Sequence, residues 1–128
     1  EKYAQFHIES DVKTFFNDIS SHLNAAHLVI SRAGASSLAE VCFFGRPSIL
    51  IPLPTAVGNH QAKNASIMYD AGASLIFNQE SHSVSELSDK ILLILTNRKI
   101  ANDMSIAARK ESKPEAADKL ADELERFK

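Results

Sequence analysis

The chain has one cysteine, no long apolar run and almost no excess of charge, and each shortage removes a class of function. A single thiol, Cys42, excludes an internal disulfide framework and a cysteine-based zinc site. Cys42 falls in an apolar helical pattern, where a buried structural thiol is favoured over a reactive one. Fourteen Lys and Arg against sixteen Asp and Glu leave a formal net charge of -2. No general positive field therefore exists to hold a polyanion, and nucleic acid is not an expected partner. No run approaches the roughly 18 apolar residues of a bilayer span; Ser48 to Ile51 and Ile91 to Leu95 are core-sized. The start, Glu1-Lys2-Tyr3-Ala4, has neither a signal-peptide pattern nor an initiator methionine, as expected of a processed chain or of a fragment of a longer one. No internal repeat, low-complexity segment or Asp-x-Asp site occurs, Asp89 and Lys90 do not make one, and His7, His22, His27 and His82 lack metal-ligand spacing. No metal and no cofactor is expected.

What remains suffices for one domain: 128 residues, 45% of them hydrophobic, can enclose a core. Apolar spacing predicts alternating short extended runs and longer helices. A first extended stretch is expected within residues 4–8 and a second over Val12 to Phe16. Asn17 and Asp18 can cap a helix with Ile19, Leu23 and Ala26 on its inner face. Leu28-Val29-Ile30 reads as a wholly apolar strand of the kind covered on both faces. A helix then runs to Phe44, where Gly45 and Pro47 stop it, and Ser48 to Ile51 forms the next strand. Pro52 to Asn59, with two prolines and a glycine, is a loop. His60 to Ala71 is a helix ended by Gly72, and Ser74 to Phe77 a strand. Ser83 to Asn97 is a helix opened by a Ser-x-x-Glu box, Ser83 to Glu86. Ile100 to Lys110 and Glu115 to Phe127 are helical around Pro114, the last with Leu120, Leu124 and Phe127 on one stripe. This βαβα order predicts an α/β fold, a parallel sheet with helices on both faces.

Ligands of such sheets sit beyond the carboxyl ends of the strands, so the loops Ser31 to Ser37 and Pro52 to His60 are the candidates. In the first, Gly34 permits a φ that other residues avoid, while Ala33, Ala35 and Ser36 leave room for a ligand to approach the main chain. The helix that follows presents unpaired N–H groups and about half a positive charge, which suits a diphosphate. The spacing equally fits a plain capping box, Ser37-Leu38-Ala39-Glu40, with Glu40 folded back to the Ser37 N–H. With one glycine and no Gly-Lys-Ser/Thr, the loop is neither a dinucleotide fingerprint nor a P-loop. Released from a cap, the Glu40 carboxylate could accept from two vicinal hydroxyls of a ribose, at about 1.5 to 3 kcal/mol for each charge-assisted bond.

The second loop leads into His60-Gln61-Ala62-Lys63-Asn64-Ala65, an imidazole and two amides, and amides suit sugar hydroxyls because they both donate and accept. His60 taken alone reads equally as a surface or cap residue. Arg32, next to the candidate anion loop, can pair with an anion, with a carboxylate across a cleft, or in a surface salt bridge. Phe15 and Phe16 are adjacent and should point to opposite sides of an extended chain, one into the core and the other, or its main chain, against a planar base; two core contacts in a twisted segment fit the pattern better still.

Ser31 to Glu40, Gly45 to Pro54, His60 to Ala65 and Ala71-Gly72-Ala73, in this order, resemble the C-terminal half of the MurG family, the bacterial N-acetylglucosaminyltransferases of peptidoglycan synthesis in glycosyltransferase family 28. The likeness runs from Phe15 onward. It implies a Rossmann-like C-terminal domain of a GT-B glycosyltransferase, present here in part, whose acceptor-binding N-terminal domain lies outside residues 1–128. It also implies transfer from UDP-N-acetylglucosamine (UDP-GlcNAc) to lipid I, giving lipid II, at the inner face of the bacterial cell membrane.

By this resemblance the main chain at Phe16 reads the uracil edge, Ala35, Ser36 and Ser37 receive the diphosphate, and Gly34, Leu38 and Ala39 belong to the same substrate-binding segment. Glu40 holds the ribose hydroxyls, Gln61 with His60 beside it contacts the N-acetylglucosamine, and Arg32 matches a family arginine. The transfer implied is inverting and independent of metal. Its general base, its lipid I contact and its membrane contact are expected in the missing domain, so no catalytic residue is assigned here and the isolated chain is expected to be inactive. Two related readings stay open: a stand-alone, non-catalytic donor-binding subunit, and a glycolipid-forming relative of the same superfamily.

Overall fold

Ser48-Ile49-Leu50 is buried at every position, which only a central strand flanked and covered on all sides can achieve. In the computed structural model, which describes residues 2–54 and 57–115, this strand is β2 (Ser48–Leu50), set between β1 (Val29–Ser31) and β3 (Ser74–Ile76). All pairings are parallel and the register is flush, with Ser31 opposite Leu50 and Leu50 opposite Ile76. The ladder runs one residue further, because the Ile51 N–H donates to Ser31 O at 2.8 Å and the Phe77 N–H to Leu50 O at 2.9 Å. Three loops therefore leave the carboxyl edge side by side.

The helices are α1 (Lys2–Gln5), α2 (Ile19–Ala25), α3 (Ala35–Phe44), α4 (His60–Asp70), α5 (Val84–Thr96) and α6 (Arg98–Glu111). Alternation along β2 sends Leu50 to one face, where it packs with Leu38 and Cys42 of α3 and with Ala65 and Met68 of α4. Ile49 faces the other side, with Phe77, Ile94 of α5 and Met104 of α6. Ile49 and Leu50 are both fully buried, worth about 1.5 to 3 kcal/mol each, so the two helical layers are held through adjacent residues of one strand. The doubly covered parallel sheet is thus as expected.

The local signals act as their chemistry requires. Asp18 caps α2 by accepting from the Ser21 N–H at 3.0 Å, and Ser83 and Glu86 form both halves of the capping box on α5. Gly45 closes α3 with φ 59°, a left-handed conformation, while the Gly45 and Arg46 N–H groups return to Cys42 O and Val41 O. Cys42 is buried with its Sγ 3.5 Å from Met68 Sδ, and burial pushes its thiol above the ordinary range.

Several expectations fail at the amino end of the chain. Residues 4–8 are not extended: Lys2–Gln5 is a single helical turn, and Phe6, His7 and Ile8 donate their N–H groups back to Tyr3 and Ala4. Val12 to Phe16 forms no strand either. An extended run needs a neighbouring ladder, and among the described residues the sheet ends at β1. The same edge position leaves Ile30 44% exposed, so β1 is not covered on both faces. Within the loop 52–59 a short 3-10 turn, Val57–Asn59, leads into α4. The helix expected at Glu115 to Phe127 lies outside the described residues after Glu115.

Candidate donor site at the carboxyl edge

The first helix of the site begins where β1 ends. Gly34 is the N-cap of α3 and supplies no side-chain acceptor, and the first returning bond is Leu38 N–H to Gly34 O at 3.0 Å. The N–H groups of Ala35, Ser36 and Ser37 thus have no helical partner, and all three residues are exposed. Such a start carries a local positive potential and donors directed away from the helix.

Two expectations about this loop are corrected. Gly34 has φ -69° and ψ 143°, an extended conformation open to any residue, so its glycine is not there for an unusual φ. A Cβ built at Gly34 would meet no atom of the protein within 4 Å, so internal packing does not demand glycine either. The space in front of it is open. Second, the capping-box reading fails: Ser37 lies inside the helix, with Gly34 as the N-cap, and no hydrogen bond or ion pair engages Glu40 among the described residues.

Leu38 is also reassigned. Its side chain is core and its N–H is spent on Gly34 O, so neither is available to a phosphate. Ala39 and Glu40 stand exposed one turn further on. A cleft of about 690 Å³ runs along α3 and α4, lined near their N-termini by Ala35, Ala39, Glu40 and Asn64, and further on by Phe43 and Ile67.

The α4 side of the site is organised by amides. Gln61 Oε1 accepts from the Leu53 N–H at 2.9 Å, and Asn64 Nδ2 donates to Ala33 O at 3.0 Å. Residues three apart share a helix face, so both amides point back toward the other loops. His60 is exposed, with its ring against Gly58, where a Cβ would stand 2.8 Å from Nε2. Gly58 sits at φ 66°, a left-handed conformation that favours glycine, whereas the exposed His60 ring can swing aside from a Cβ.

Among the described residues Arg32 pairs with no carboxylate. Its Nη1 donates to Ile51 O at 3.1 Å, to Gln79 Oε1 at 2.8 Å and, more distantly, to Pro52 O at 3.5 Å. Gln79 has no role in the sequence reading, and Asn64 enters it only as one of two amides suited to sugar hydroxyls, not as a tie to Ala33. The signal for Asn64 is its i+3 spacing from Gln61; for Gln79 it is the flush register, visible only once the strands are paired.

The Phe16 side chain is engaged locally. Its ring lies edge-on against His22 at 4.7 Å between centroids, with Lys13 Nζ 5.4 Å above it. Phe15 is exposed, so neither phenylalanine enters the core. Both precede α2 in a segment without a strand partner, and no ladder sorts their side chains to two faces.

The glycosyltransferase family 28 C-terminal domain matches residues 1–120. A curated relative from Zymomonas mobilis, named UDP-N-acetylglucosamine--N-acetylmuramyl-(pentapeptide) pyrophosphoryl-undecaprenol N-acetylglucosamine transferase, is 39% identical over 98% of this chain and 32% of its own length. The protein of the same name from Rickettsia felis is 43% identical over 80% of this chain and 29% of its own. The chain spans about a third of the length of such relatives. The crystal structure of Acinetobacter baumannii MurG superposes with a TM-score of 0.81 at 32% identity, over 91% of this chain and 33% of that one. Spinosyn forosaminyltransferase SpnP shares the fold alone, with a TM-score of 0.60 at 14% identity, over 82% of this chain and 29% of its own. By the residues that match and the fold that superposes, the chain belongs to glycosyltransferase family 28 and carries its C-terminal domain.

Proposed function

We propose that this chain is the donor-binding part of a glycosyltransferase that moves N-acetylglucosamine from UDP-GlcNAc to lipid I, forming lipid II in peptidoglycan synthesis. The α3 N-terminus, with the N–H groups of Ala35, Ser36 and Ser37, receives the diphosphate, and Glu40 accepts from the ribose hydroxyls. Gln61, with His60 beside it, faces the sugar, and the main chain at Phe16 takes the uracil edge. The observation that carries this reading is Gly34: neither its backbone angles nor its packing calls for glycine, yet the space before it is open and the helix behind it begins without a side-chain cap. A ligand approaching the main chain supplies the missing reason.

The chemistry follows from charge. As the acceptor hydroxyl displaces uridine diphosphate (UDP) with inversion at the sugar carbon, negative charge grows on the departing diphosphate. N–H donors already aimed at that position stabilise it without reorganising, a task that divalent ions perform in other transferases. The acceptor, the general base and contact with the inner face of the cell membrane belong to the longer protein expected around this chain.

Calorimetric titration of UDP-GlcNAc, together with NMR of the loop amides, tests the reading. Binding that moves the Gly34 and Gln61 resonances is the expected result. Unchanged resonances at saturating ligand would end it.

A further inference from the structure

We propose that Arg32 is a positioning residue whose guanidinium sets the sugar-facing amide of Gln61 and couples it to the diphosphate loop; this rests on the donor-site reading above. The hydrogen bonds form a closed ring through three segments, braced by a fourth. Arg32 leaves the end of β1 and holds the Ile51 carbonyl at the end of β2. Two residues later the Leu53 N–H holds Gln61 Oε1. One turn along α4, Asn64 Nδ2 holds the carbonyl of Ala33, the residue next to Arg32. Gln79, beyond β3, pins the same Arg32 nitrogen from the far side at 2.8 Å.

The segment between β2 and α4 needs such a support. Pro52 and Pro54 have no N–H, so Leu53 supplies the only main-chain donor of the three, and that donor is spent on Gln61. The segment has little left with which to hold itself, and its carbonyls take the Arg32 guanidinium instead of a ladder partner.

The ring also dictates how Gln61 can meet a ligand. With one Oε1 lone pair taken by the Leu53 N–H, the amide plane is held in one preferred orientation, from which the Nε2 hydrogens and the remaining lone pair meet sugar hydroxyls. Release of the Pro52-Leu53 peptide would let the amide rotate and lose that preference. Arg32 thereby acts on the sugar through Leu53 and Gln61.

The test compares two ligands by isothermal titration to the full-length protein, UDP-GlcNAc and UDP. Arg32→Met removes the donors and keeps the aliphatic stem. It is expected to weaken UDP-GlcNAc binding about tenfold and UDP binding less than about twofold. Equal losses for both ligands would mean that Arg32 acts on the diphosphate itself, and unchanged affinity for both that it acts on neither; each overturns the proposal. Should Arg32→Met fail to fold by circular dichroism, Gln79→Leu carries the test, with about a threefold loss confined to UDP-GlcNAc expected and an unchanged ratio overturning it. A wild-type protein that binds neither ligand would end the donor-site reading and this proposal with it. A wild type that binds both, with variants that do not discriminate, would overturn this proposal alone.

Discussion

Asn64 Nδ2 donates to the carbonyl oxygen of Ala33 at 3.0 Å, tying the first turn of α4 to the loop that opens α3. Ala33 is fully buried, so its carbonyl has little access to water if that partner is lost. Asn64→Ala should cost about 1 kcal/mol or more, since an unsatisfied buried acceptor forfeits its solvation as well as its bond. Urea denaturation of the variant against wild type measures this, and equal midpoints would show that the tie contributes nothing.

Glu40 stands exposed with no internal partner among the described residues, so its replacement should leave the fold alone. Glu40→Gln keeps the shape and removes the charge that two hydroxyl donors would engage. Affinity for UDP should fall at least about tenfold, or about 1.4 kcal/mol, with the melting temperature unchanged. Titration calorimetry reads the first quantity and differential scanning calorimetry the second.

Glu86 accepts from the Ser83 N–H and Ser83 hydroxyl, and these bonds hold its carboxyl below the ordinary value of 4.5. A depressed carboxyl contributes stability that is fully present above 4.5 and lost as pH falls through the lower, folded value. The melting temperature of wild type should therefore drop relative to Glu86→Gln as the buffer is taken from neutral to strongly acid. Parallel curves for the two proteins across that range would exclude the linkage.

Burial, with the Glu111 charge as a smaller influence, raises the Cys42 thiol above its ordinary range and leaves little thiolate at neutral pH. Native protein should resist iodoacetamide at pH 8 and react fully in denaturant. Mass spectrometry distinguishes the two, and rapid native labelling would mean that the core around Cys42 and Met68 opens readily.

Gly45 combines a left-handed φ of 59° with an Arg109 side chain lying where a Cβ would stand. Gly45→Ala should destabilise by about 1 to 2 kcal/mol from the backbone alone. The flexible Arg109 side chain can move aside, so the loss should not approach that of a core deletion. A urea midpoint within error of wild type would contradict it.

Where the chain's local chemistry is self-contained, the sequence reading and the structure agree. Ser83 and Glu86, Gly45 with Pro47, and the run Ser48 to Leu50 mark their elements because caps, left-handed turns and buried strands depend on a few neighbouring residues. The two diverge at residues 4–16, where extended patterns find no strand to pair with, and at Ser37 to Glu40, where two starts for one helix lie three residues apart. Gly34 took the N-cap there because Ala35 and its successors could already turn helical behind it.

The order of strands and helices, the positions of the loops and the identities of Gln61, Asn64 and Arg32 were present in the linear chain, since periodicity and hydrogen-bonding capacity are properties of residue types. Which of these side chains meet was settled only by parallel pairing. The flush register of β1, β2 and β3 sets Arg32 beside Ile51 and Gln79, partners 19 and 47 residues away. No spacing rule reaches that far, because contacts of such separation exist only after the chain has closed its loops around a common sheet.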